Sequence, residues 1–113
     1  MVQDNLRRGD MVNTNRIRAL IEERETLHPD DPRIEECWKM LTKELVTEEE
    51  ATIKFISNCD EHDIYWLSEI FEDISAVLQS QEFVQTLRDV QTKYPKLDLQ
   101  ADIMYAEMVL NNI

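Results

Sequence analysis

Glycine occurs once in this chain, at Gly9, and proline only at Pro29, Pro32 and Pro95. A sheet protein needs a turn about every ten residues, and the tight hairpin turns draw on glycine-containing pairs that are missing here. The expectation is therefore an all-α chain. Cysteine is also sparse: Cys37 and Cys59 are too few for a disulfide framework. No run of about eighteen apolar residues is present to span a bilayer, which excludes a helical membrane anchor. The opening stretch MVQDNLRRGDMVNTN lacks the apolar core of a secretory signal. Together these absences point to a reducing, cytoplasmic setting. A single glycine cannot build a phosphate-cradling loop, and basic residues interleaved with aromatics, the mark of a nucleic-acid surface, are missing.

What the chain has in excess is negative charge. Acidic side chains outnumber basic ones 24 to 12, for a net charge of −12. The imbalance is local, with 10 acidic and 8 basic residues over 1–46 but 14 and 4 over 47–113. Within 47–73 the ratio is 9 to 1, Lys54 being the single base. Such a field repels nucleic acid and anionic membrane and draws in basic partners, although acidity also serves plain solubility. A length of 113 residues with 42% hydrophobic content, spread along the chain, fits one folded domain. Residues 1–12 show no periodicity and read as a loose arm, leaving 13–113 as the domain.

Six helices are expected. The first starts near Asn13 or Thr14, places Ile17, Leu20, Ile21 and Leu27 on one side, and stops before Pro29. The second is capped by Asp31 with Pro32 at its first position and carries Ile34, Trp38, Leu41 and Leu45. Thr47 with Glu50 forms a capping-box pattern for the third, which carries Ile53, Phe55 and Ile56. Asp60 caps the fourth. At about 100° per residue, Ile64, Leu67, Ile70, Phe71, Ile74 and Leu78 share one arc of it, widened by Trp66 and Val77. The fifth starts at Ser80 and buries Phe83, Val84, Leu87 and Val90. The sixth is capped near Asp98, with Ile103, Ala106, Val109 and Leu110 inward. Short links make these antiparallel neighbours, in a compact bundle or in stacked helical hairpins.

Patterns that could carry catalysis are incomplete. Glu25 and His28 form one Glu-x-x-His where a helical di-iron site needs two. Cys59 and His62 form a lone Cys-x-x-His; adding Cys37 and His28 completes a Cys2His2 count, but the spacing fits no zinc finger. Buried cysteine and a solvated His62 near the helix cap are the better reading. Neither cysteine has a basic cluster to activate it. Glu48, Glu49 and Glu50 suit the dipole of a first helical turn without magnesium. The expectation is a protein without catalytic, metal or cofactor residues.

A surface remains. Tyr65, Glu69, Glu72 and Asp73 lie opposite the apolar arc of the fourth helix, with Ser68 among them. Trp66 lies at its boundary, where packing on a neighbouring helix competes with a surface role. Glu61 and Asp63 extend the acidic rim. Rim carboxylates set association rate and partner choice, while central aromatics supply retained affinity.

The run FISNCDEHDIYWLSEIFEDISAVLQSQEF, continuing to KYP and DIMYAEMVL, resembles small acidic helical immunity proteins of bacterial polymorphic toxin systems, including contact-dependent growth inhibition. The likeness spans roughly residues 50–110 and is one of general pattern. It implies a cytoplasmic inhibitor, a monomer or weak dimer, that binds the toxic domain of a cognate effector, commonly a nuclease. Inhibition would follow from covering the active site or the target-binding surface. Tyr65 and Trp66 would anchor that complex, with Glu69, Glu72 and Asp73 pairing to basic side chains and Glu61 and Asp63 at the rim. An adaptor module that docks a cellular protein through apolar contacts is the alternative, and a small acid-dependent enzyme with Glu25, His28 or the carboxylates of the 60s in a metal site ranks behind both.

Overall fold

Helix starts in this chain are set by short polar side chains that accept otherwise unpaired amide hydrogens. In the computed structural model, which describes residues 12–111, Asn13 Oδ1 accepts from the Arg16 amide at 3.1 Å and opens α1, Thr14–Thr26. Asp31 Oδ1 accepts from the Arg33 amide at 2.8 Å, with Pro32 already helical, and opens α2, Arg33–Leu45. Asp60 Oδ1 accepts from Asp63 and opens α4, Glu61–Leu67; Ser80 Oγ accepts from Phe83 and opens α6, Gln81–Lys93. The caps at Asn13, Asp60 and Ser80 match the sequence expectation; at α2 the cap position falls on Pro32, one residue later than expected, with Asp31 bracing the Arg33 amide from outside.

Two starts differ. The helix α3, Glu49–Ser57, begins after Glu48 without a side-chain cap. The Thr47 amide instead donates to the Leu45 carbonyl, which turns the chain before a capping box can form. Likewise α7, Gln100–Met108, begins after Leu99 rather than Asp98. Gln91 of α6 supplies the missing acceptor: its Oε1 takes the Leu99 amide at 2.8 Å while its Nε2 donates to the Leu97 carbonyl at 2.7 Å.

The expected fourth helix is bent. Between α4 and α5, Phe71–Leu78, residues Ser68–Ile70 form a 3-10 turn. Ser68 Oγ donates back to the Tyr65 carbonyl at 2.7 Å, the local competition that serine offers a helix backbone. The bend lets the two pieces pack on different neighbours, α4 on α1 and α5 on α7. Beyond it Val77, expected to widen the apolar arc, is exposed. Helix α5 ends at Gln79, whose φ of 51° is left-handed. Its side chain holds that conformation by donating to Ala76 and Val109 carbonyls and accepting the Asn111 amide at 2.8 Å.

The described residues are thus all-α: seven α-helices and the 3-10 turn, with α4, the turn and α5 filling the place of one expected helix. Ile17, Leu20 and Ile21 from α1, Leu41 and Leu45 from α2, Ile64 and Leu67 from α4, and Phe71 and Phe83 form one continuous core. Sequential pairing holds for α1 with α2, whereas α3 crosses to pack on α6. The expected arm lies outside the described residues except for Val12, which packs against the core.

Candidate partner-binding face

The bend at Ser68–Ile70 decides what the proposed face presents. Tyr65, in the last full turn of α4, is 54% exposed, although a tyrosine ring ordinarily finds partial shelter. Trp66 beside it is half-buried against the core. The two rings meet edge to face, with centroids 5.0 Å apart and planes at 84°. The Arg24 guanidinium of α1 covers the Trp66 ring at 4.9 Å. Trp66 therefore packs on a neighbouring helix and supports Tyr65 from beneath, instead of standing free as a second anchor.

Glu69 lies at the surface, yet its side chain is only 27% exposed. Both carboxylate oxygens accept from Arg24, at 2.8 Å each, and Oε1 also accepts from Trp38 Nε1 at 2.9 Å. Arg24 is 8% exposed, so Glu69 neutralises a buried cation and joins α1, α2 and the 3-10 turn. The hydrogen bonds and charge of Glu69 hold the guanidinium above its ordinary pKa despite desolvation. Glu69 is accordingly a structural residue, and its charge is already spent inside the molecule. Sequence reasoning missed this because Arg24 sits within a run of charged residues, Glu22 to Glu25, with nothing to mark it as buried.

Asp63 is a correction. It was expected at the exposed rim but is 6% exposed, because α4 turns this side toward α1. Its Oδ1 pairs with His62 Nδ1 at 2.9 Å, and Arg18 Nη1 lies 3.7 Å from Oδ2. Of the rim carboxylates, Glu61, Glu72 and Asp73 remain exposed. None of the three forms an ion pair among the described residues. Glu72 and Asp73 also occupy the first turn of α5, where negative charge favours the helix dipole. Asp73 borders a groove between α2 and α5 floored by Trp38, Ala76 and Val77 and flanked by Lys39 and Lys43.

Two features escaped the sequence reading. Asp102 of α7 is part-buried, and its carboxyl is pushed above the ordinary range by burial first and then by the charges of Asp98 and Glu69. The acidic region therefore reaches α7, a tertiary neighbour; only the Asp98 to Asp102 spacing of one helical turn was visible in advance. Second, α7 carries apolar side chains outside as well as inside: Ile103 and Ala106 are buried, while Met104, Tyr105 and Met108 are exposed. Exposed methionines are adaptable contact residues at binding surfaces.

The suspected chemical sites do not assemble as such. His28 turns to the Asp30 amide instead of joining Glu25. Cys37 and Cys59 are both buried free thiols. Burial raises the Cys37 pKa and pushes that of Cys59 up to about 12, which keeps both protonated at neutral pH. His62 instead meets carboxylates, with Nε2 3.0 Å from Glu25 Oε1 of α1. No helix among the described residues is long and apolar enough to cross a membrane. No protein-family model matches the chain, and neither a curated protein nor a solved structure matches it.

Proposed function

We propose that this chain is an immunity protein, a non-catalytic cytoplasmic inhibitor that binds a cognate bacterial toxin domain and covers its basic active-site or target-binding surface. The observation that carries the reading is Tyr65, more than half exposed, with Glu61 one turn before it on the same helix and Glu72 and Asp73 exposed on the helix that follows, none of the three in an ion pair among the described residues. An exposed aromatic with a charged rim is the composition from which interface hot spots are built. The local charge supports the same partner chemistry. Residues 47–73 carry nine acids and one base, and the base, Lys54, borders a separate cleft with Arg18 and Phe55. A nuclease toxin offers lysines and arginines arranged for phosphate, so the acidic face competes with nucleic acid for them.

In this reading Tyr65 is the anchor, Trp66 its support, and Glu61, Glu72 and Asp73 the steering charges. Glu69 and Asp63 hold the face in place from inside. Co-expression tests it: the toxin domain encoded beside this chain should arrest growth alone and be tolerated when the chain is present. Continued arrest at matched expression counts against the reading.

The exposed Met104, Tyr105 and Met108 favour a second reading, an adaptor that docks an apolar protein surface through α7. Its binding would be nearly independent of salt, whereas the acidic face loses association rate steeply as ionic strength rises.

A further inference from the structure

One turn before Tyr65, the start of α4 and α1 gather an imidazole and three carboxylates. Asp60, His62 and Asp63 each bring one ligand atom into a group whose members all lie within 4.8 Å of one another. Glu25 of α1 approaches from the far side of the ring, its Oε1 3.0 Å from His62 Nε2. We propose that Asp60, His62 and Asp63 form a binding site for one divalent transition-metal ion of the zinc type, with Glu25 orienting the imidazole.

Geometry supports this first. Zinc bonds to nitrogen and oxygen of about 2.1 Å at right-angled to tetrahedral openings place neighbouring ligand atoms about 3.0–3.4 Å apart. His62 Nδ1 and Asp63 Oδ1 already stand 2.9 Å apart, so an ion can replace the proton between them with little movement. Asp60 and His62 are at the surface, His62 with a side chain 52% exposed, and small rotations bring the remaining oxygen in. Asp60 uses Oδ1 to cap the helix by accepting the Asp63 amide, which leaves Oδ2 for the ion.

A second observation points to a ligand independently. Asp63 is 6% exposed, and its Oδ2 is fully buried without a hydrogen-bond partner. The nearest cation, Arg18 Nη1 at 3.7 Å, is beyond hydrogen-bonding distance. A buried carboxylate oxygen left unfilled is costly, and an adjacent cation relieves it.

The chemistry of the set selects the ion. One imidazole with two carboxylates suits zinc and its first-row neighbours, whereas magnesium prefers oxygen alone. With the ion in place of the proton on Nδ1, Glu25 would accept from Nε2–H and hold that tautomer, the carboxylate–histidine–metal arrangement that recurs in such sites. Cys59 next to Asp60 stays outside, its thiol buried and protonated. The site stands independently of the inhibitor reading.

Calorimetric titration of the metal-stripped chain with zinc chloride, beside magnesium chloride, tests it. One zinc per chain with no magnesium uptake at equal concentration is expected. His62→Ala should weaken zinc binding at least a hundredfold, and Glu25→Gln about tenfold. Asp60→Asn keeps the helix cap and should also weaken it, with circular dichroism confirming that each variant is folded. Nitrogen-15 spectra should show the His62 proton on Nε2 once zinc is bound. Absence of zinc uptake at neutral pH, uptake undiminished in His62→Ala, or zinc on Nε2 would each overturn the site.

Discussion

Arg24 and Glu69 meet through two parallel hydrogen bonds of 2.8 Å, forty-five residues apart in the chain, with the Trp66 ring beneath the guanidinium and the Trp38 indole on the same carboxylate. Removing one member strands a charge that is nearly inaccessible to water, a loss of about 3 kcal/mol for a buried pair. Glu69→Ala should therefore lower the unfolding free energy by that amount, read as a lower urea midpoint at unchanged slope, while Glu72→Ala stays within about 0.5 kcal/mol of the parent. Equal, small effects of the two would place Arg24 in solvent.

Tyr65 should behave in the opposite way. Its ring contributes little to the core, so Tyr65→Ala is expected to leave the melting temperature nearly unchanged. Affinity for the proposed toxin partner should fall by about 2 kcal/mol, or roughly thirtyfold, as for a central aromatic hot spot. Calorimetry on the complex reads both quantities with one pair of proteins.

Gln79 occupies a left-handed position usually given to glycine. Glycine there would relieve about 1 kcal/mol of backbone cost. It would also delete the side-chain bonds to Ala76, Val109 and Asn111. Each such bond contributes about 1 kcal/mol, so the losses outweigh the gain. Gln79→Gly should be destabilising and should speed amide exchange at the end of α7 first.

Asp102 gives a pH dependence of defined sign. Its folded carboxyl is raised above the unfolded value by burial and by Asp98 and Glu69, so the native state takes up this proton first as pH falls. Ionised Asp102 thus destabilises the fold at neutral pH. That penalty shrinks as pH drops through the raised folded value and is gone below the unfolded one, about 3.9. Asp102→Asn should be more stable than the parent at pH 7 and lose that advantage on acidification, as followed by thermal melts across the range.

Much of the helical framework was legible in the residues, because caps such as Asn13, Asp31, Asp60 and Ser80 act within one turn of themselves. The apolar arc from Ile64 to Ile74 was legible for the same reason, since it repeats at helical spacing. The bend at Ser68 was not: it depends on a serine hydroxyl preferring a carbonyl over water, a choice that spacing does not record. Only part of the face could be read in advance. Glu61, Glu72 and Asp73 lie outside as their wheel positions require, but whether a carboxylate is free depends on who meets it. Arg24 reaches Glu69 from α1, and His62 with Arg18 surrounds Asp63. Both arginines come from α1, some forty-five residues earlier, where a one-dimensional pattern carries no information, and His62, although adjacent to Asp63, gives no sign in the sequence of which way its ring turns. One consequence is practical. A charge reversal that includes Glu69 would unfold the α1 contact and lose binding for the wrong reason.

The most direct measurement is therefore association kinetics with the toxin domain for a Glu61→Lys, Glu72→Lys, Asp73→Lys triple variant that leaves Glu69 and Asp63 intact. If the exposed carboxylates steer a basic partner, association at low salt should slow at least tenfold, the salt dependence should flatten, and protection in co-expression should weaken. An association rate and salt slope equal to those of the parent would contradict the account, because the toxin would then be held by some other surface.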